Sequence, residues 1–195
     1  MNTVPATLDG AGPELEPARY SQGPHIPGEV GIWLLIFGGM LEFGLFFCVL
    51  TYERMQDRVV FAKSSLLLNP TLGLINTILL LTGSLFVAVG ASAARQQKSA
   101  LAGRMFAAAG ACGLGFAVIK LAEYGHLLSV GVYPSTNEFF LFYYVFTGLH
   151  LVHLFVGVGL LVYLWFKVRK PVLGASDIRT VENGATFWHL VDLLW

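Results

Sequence analysis

Seven ionisable side chains stand inside or close to long apolar runs: Glu42, Glu123, His150, His153, Glu182, His189 and Asp192. Such groups are costly to leave facing hydrocarbon, so they pair with one another, face neighbouring helices or line a functional path. His150 and His153 lie near the centre of segment 139–166, which holds no Asp, Glu, Lys or Arg. Three residues apart on a helix, they share a face, and Gly157 continues it one turn on. Imidazole suits iron, copper and zinc, so with His189 the pair could ligate a haem or a metal. The alternative is packing and hydrogen bonding between helices, and no ligand spacing decides for the metal. Glu42 is the carboxylate near the middle of an apolar helix. Charged and lipid-facing it would cost about 3 kcal/mol, so it is expected to be protonated or hydrogen-bonded between helices, as a proton relay or as a structural carboxyl. Lys120 and Glu123, three apart, have the spacing of an ion pair. Glu182, His189 and Asp192 are spaced i, i+7, i+10 and share a face. Glu182 suits a helix start, whereas His189 and Asp192 lie deeper and call for a buried polar network.

The elements that must hold these groups are membrane helices. The chain is 55% hydrophobic and 12% charged, which marks a polytopic membrane protein. Its formal net charge is zero, which argues against a nucleic-acid partner. The two cysteines, Cys48 and Cys112, sit in apolar runs without a CxxC or CxxCH, so disulfide scaffolds, zinc ribbons and covalent c-type haem find no support. Residues 1–28 are rich in Pro, Gly and Glu, lack an apolar signal-type core and read as a flexible tail; 29–195 form the bundle.

Five apolar segments follow, at about 30–52, 72–94, 104–122, 139–166 and from 181 onward. The fourth is about 42 Å long as a helix, more than a roughly 30 Å hydrocarbon core requires. The third holds the small-xxx-small pairs Ala109/Gly113 and Ala111/Gly115, which permit close helix contact. The fifth, about 15 residues to Trp195, is short for a span; either the helix stops partway or the sequence ends before it does. Basic residues concentrate on the tail, 95–104 and 167–179 side, which places the N-terminus in the cytoplasm. The expected fold is therefore all-α, a polytopic bundle of five membrane helices. An antiparallel fourth–fifth pair would bring Glu182 and His189 to the bundle interior, with His189 near the His153–Gly157 stripe.

Two elements carry a family resemblance. ENGATFWHLVDLLW at 182–195 resembles the E-x-x-x-x-x-W-H-x-V-D-x-x-W signature of subunit III of haem-copper oxidases, and GVYPSTNEFFLFYYVFTGLHLVHLFVGVGLL at 131–161 is similar to that family's preceding helix. LAEY at 121–124 and INT-x-LLL at 75–81 resemble two weaker family elements. The common form has seven helices; this chain is similar to the shorter bacterial branch that lacks the first two. PGE-x-GIW at 27–33 resembles the start of the branch that serves as nitric oxide reductase accessory proteins. The family's first matched helix carries a glutamate ahead of Phe-Phe. Anchored on Phe46 and Phe47, that glutamate falls at Gly39, and Glu42 stands three residues later.

The resemblance implies a non-catalytic subunit or accessory protein of a cytochrome c oxidase or nitric oxide reductase type complex in the bacterial inner membrane, in respiration or denitrification. It implies no haem, copper or other metal and no catalytic residue in this chain. It implies a haem-bearing catalytic subunit as partner, phospholipid bound in a cleft between helices, and support for assembly, proton uptake and durability. Glu123, His150, His153, Glu182, His189 and Asp192 are then structural, whereas the role of the family's glutamate does not carry over to Glu42, one turn away. A stand-alone proton-conducting or transport protein, motivated by Glu42, His150 and His153, is the other reading, and a b-haem protein a third.

Overall fold

The computed structural model describes residues 30–195, so the tail at 1–28 lies outside it. Among the described residues the chain is helical throughout: α1 (Val30–Gln56), α2 (Arg58–Ser65), α3 (Pro70–Arg95), α4 (Ser99–Ser129), α5 (Glu138–Lys167) and α6 (Ala175–Leu193). Four of them, α1, α3, α4 and α5, are long and apolar enough to cross a membrane. With α6 they make the five long helices that the apolar segments predict. The short α2 has no counterpart in that reading. It is too polar to register as an apolar run and is held by its cap, with Asp57 Oδ1 accepting from the Val60 amide at 3.1 Å. Helix α6 starts at Ala175, six residues ahead of the apolar boundary, because its first two turns lie among polar partners.

Side-chain caps fix the starts of α3 and α5. Asn69 accepts from the Thr71 amide at 3.0 Å just ahead of Pro70, and Asn137 accepts from the Phe140 amide at 3.0 Å ahead of α5. Helices α3 and α4 form the most closely packed pair, with α6 lying against α3 and α5. Their joint is a tight turn in which Gln97 takes a left-handed backbone (φ 59°). The Gln97 side chain then donates to the Leu173 carbonyl (3.0 Å) and accepts from the Leu173 amide (2.9 Å), clipping the α5–α6 loop to the α3–α4 turn.

The core is built on one large ring among small residues. Trp188 of α6 is buried, and its indole lies against Gly83 of α3, Gly113 of α4 and Gly157 of α5. A Cβ at Gly113 would come within 2.8 Å of that indole, and one at Gly157 within 3.2 Å. A Cβ at Gly184 would meet Leu164 as closely, at 2.7 Å. Between membrane helices the attraction comes from close packing, since lipid is as apolar as leucine. These glycines let four backbones close around a single indole. The outer surface is correspondingly apolar, with Leu34, Leu74, Leu81, Val118 and Val152 exposed as lipid contact requires.

Candidate functional site: the polar core of the bundle

The densest polar group lies where α4, α5 and the C-terminus meet. Lys120 and Glu123 are one turn apart on α4 and form an ion pair of 2.8 Å, with side chains only 3% and 9% exposed. Lys120 Nζ also donates to the Tyr143 hydroxyl at 3.3 Å and sits 4.9 Å from the Trp195 ring centroid. The ammonium is thus enclosed by a carboxylate, a phenol and a π-face, which satisfies it without water. Trp195 is fixed in turn, since its Nε1 donates to Thr77 Oγ1 of α3 at 3.0 Å. One turn along, the Tyr124 hydroxyl and Thr147 Oγ1 share a hydrogen bond, and Thr147 also donates to the Tyr143 carbonyl at 2.6 Å.

His150 of α5 lies beside this group, packed between Phe116 (ring centroids 5.3 Å) and Trp195 (5.2 Å). It is buried, and neither ring nitrogen has a protein hydrogen-bond partner. Asn76 of α3 is buried with both side-chain polar atoms likewise unpartnered. His153 faces a different neighbour: its Nδ1 donates to the Leu149 carbonyl at 2.9 Å, and its ring meets Phe43 of α1 at 6.0 Å. The two imidazoles therefore serve two interfaces. Among the described residues, no three His, Cys, Asp or Glu side chains converge as a metal-ligand set.

On α6 the three expected groups separate. Glu182 pairs with Arg95 at the end of α3 (3.2 Å) and keeps 30% of its side chain exposed, so it is an edge group and not an interior one. His189 Nδ1 shares a 2.6 Å hydrogen bond with Ser84 Oγ of α3. It turns to α3 and not to the α5 stripe as expected, because Trp188, its neighbour in sequence, takes the place against Gly157. Asp192 is half-buried one turn beyond His189. Below Glu182, Asp177 anchors the start of α6: its carboxylate accepts from Lys170 Nζ (3.1 Å) and from the Gly174 amide (3.2 Å), with Lys167 Nζ at 3.5 Å. The hydrogen bond from the Lys170 ammonium, seconded by the Gly174 amide, holds that carboxyl below the ordinary carboxylate range.

Glu42 does not join these groups. It lies on the exposed surface of α1, while the next residue, Phe43, is the one that turns inward. A helical step of about 100° separates consecutive residues, so a shift of one residue decides which of them enters the bundle.

The match to known families covers nearly the whole described chain: residues 28–195 fit the profile of cytochrome c oxidase subunit III. The chain belongs to that family. Similar relatives include the cytochrome bo(3) ubiquinol oxidase subunit 3 of Buchnera aphidicola, 24% identical over 166 residues that cover 85% of this chain and 80% of the relative. The probable quinol oxidase subunit 3 of Staphylococcus haemolyticus is 25% identical over 86% of this chain and 83% of its own length. A chain of Aeropyrum pernix described as heme-copper oxidase subunit I+III is 26% identical over 84% of this chain, which spans 21% of that longer protein. As a member of the subunit III family, the protein is a multi-pass membrane component of an oxidoreductase complex. At the family's glutamate position, Gly39, an added Cβ would lie in ordinary contact with Leu194 and Leu190 (3.7 and 3.8 Å), so this position faces α6.

Sequence reasoning pointed to the Lys120–Glu123 spacing but missed Tyr143 and Trp195 as the walls around it. It did not single out Trp188. The signal for its burial was present in three glycines, Gly83, Gly113 and Gly157, on three different spans.

Proposed function

We propose that this subunit III family member is a non-catalytic partner of a haem-bearing catalytic subunit, which supports assembly, proton uptake and durability of that subunit. The observation that carries the reading is the closed polar core. Lys120 neutralises Glu123, Trp195 and Phe116 pack His150, and Trp188 fills the centre, so the interior is a rigid scaffold. The Aeropyrum pernix relative, whose description joins subunits I and III, supports subunit I as the partner. Apolar clefts between α1 and α5 (about 210 Å³) and between α4 and α5 (about 320 Å³) suit phospholipid chains. The N-terminus is assigned to the cytoplasm from the basic residues at the α3–α4 and α5–α6 turns.

The resemblance of PGE-x-GIW at 27–33 favours a nitric oxide reductase accessory role, in denitrification, within this reading. Purification from native membranes in mild detergent tests both levels. A haem-bearing subunit should co-purify, and its turnover with oxygen or nitric oxide identifies the acceptor. A purified single chain that shows its own Soret band, or that moves protons alone in proteoliposomes, would overturn the accessory reading.

A further inference from the structure

Helix α1 is the least buried of the four spans. Its inward line, Gly39, Phe43 and Phe46, meets α5 and α6 through Phe146, Leu190 and Leu194. A second line runs along its flank: Gly31, Leu35, Gly38, Glu42, Leu45 and Val49. These positions alternate spacings of four and three, the repeat by which one helix packs along another at a shallow crossing angle. All six are exposed, with Leu35 at 47%, Leu45 at 60% and Val49 at 46%. A Cβ at Gly31 or Gly38 would meet nothing within 4 Å. Small residues on such a line let a second backbone approach closely. Glu42 stands in the middle of the line and near the middle of the Trp33–Gln56 span, with no hydrogen bond or ion pair to any side chain among the described residues.

We infer that this flank of α1 is the docking seam for a membrane helix of the haem-bearing catalytic subunit, and that the docked helix presents a hydrogen-bond donor or cation to Glu42. The inference rests on the functional reading above. Charge complementarity selects the occupant. A carboxyl at hydrocarbon depth is satisfied by a donor, and acyl chains offer none. A second copy of this chain, related by an axis along the membrane normal, would set Glu42 against Glu42 at the same depth, two like carboxyls that bond only when at least one is protonated. A helix that carries Arg, Lys, Tyr, Ser or Trp at that level supplies what the seam lacks.

The test uses the full chain in its native membrane. A photo-crosslinking residue placed at Val49, on the seam, should form an adduct with the haem-bearing subunit. The same residue at Met40, about half a turn of α1 away from Val49 in orientation, should not. Glu42→Leu should cut the co-purified haem per chain by about tenfold, the effect of leaving one polar partner unpaired. Glu42→Gln, which still accepts a hydrogen bond, should retain most of it. Gly38→Ile should lose it, while the isolated variant melts like the parent because that side chain points away from the bundle. Three results would overturn the assignment: a Val49 adduct to lipid or to a second copy, capture of the catalytic subunit from Met40 alone, or full haem retention in both Glu42→Leu and Gly38→Ile. Any of these leaves the functional reading standing. A parent chain that brings down no haem-bearing subunit overturns both.

Discussion

Lys120 and Glu123 show how a buried charge is made tolerable. Each is nearly inaccessible, and each depends on the other, with Tyr143 and Trp195 closing the remaining directions. Removing one member of such a pair leaves an uncompensated charge, which costs about 3–5 kcal/mol, whereas replacing both with apolar groups is often nearly neutral. Lys120→Met alone should therefore lower the midpoint of thermal unfolding sharply. Lys120→Met with Glu123→Leu should recover more than half of the loss. Circular dichroism of the purified chain during heating gives both values, and equal losses in the single and double variants would count against the pair as drawn. His150 belongs to a different class: its ring is held by Phe116 and Trp195, so its contribution is packing.

Among the elements, the two turns at the α6 end of the bundle are coupled through one residue. Gln97 combines an unfavourable left-handed backbone with two hydrogen bonds to Leu173. Glycine at this position relieves a backbone cost of about 1 kcal/mol but forfeits both bonds; alanine forfeits the bonds and keeps the cost. The expected order of thermal stability is parent, then Gln97→Gly, then Gln97→Ala, with the last about 1–3 kcal/mol below the parent. If Gln97→Gly were the most stable, the clip would contribute less than the turn strain. Helix α6 depends on this region, because Asp177 ties its first turn to Lys170 and Gly174 just past the same loop.

For the molecule as a whole, the charges of the turns predict the side of the membrane on which each lies. The turns after α3 and α5 carry Arg95, Lys98, Lys167, Arg169 and Lys170, whereas 125–137 carries no Lys or Arg. The positive-inside rule predicts that the first group is cytoplasmic. On a Cys48→Ala, Cys112→Ala background, a cysteine at Ser135 should react with an impermeant maleimide added to intact cells. One at Ser176 should react only after the cells are opened. The reverse pattern would invert the topology while leaving the bundle itself unchanged. The bundle exposes apolar side chains on all its long helices, and α1 contributes least to the interior, which is why its flank is the surface left for a partner.

The amino-acid order alone determined the helical membrane class, the approximate ends of five long helices and the family, because each rests on local information. Apolar runs need only be long enough, caps such as Asn69-Pro70 act within one turn, and the 182–195 signature is contiguous. The Lys120–Glu123 pair was legible for the same reason, as a spacing on one helix. What only the tertiary structure decided was direction around each helix axis. Every face of a membrane helix is apolar, so periodicity gives no phase, and a step of about 100° separates an interior residue from its neighbour. That is why Glu42 lies outside while Phe43 lies inside, and why Trp188 fills the glycine socket while His189 turns to Ser84. Packing of one indole against three glycines from three distant segments set the phase of α6, and no local pattern encodes that meeting.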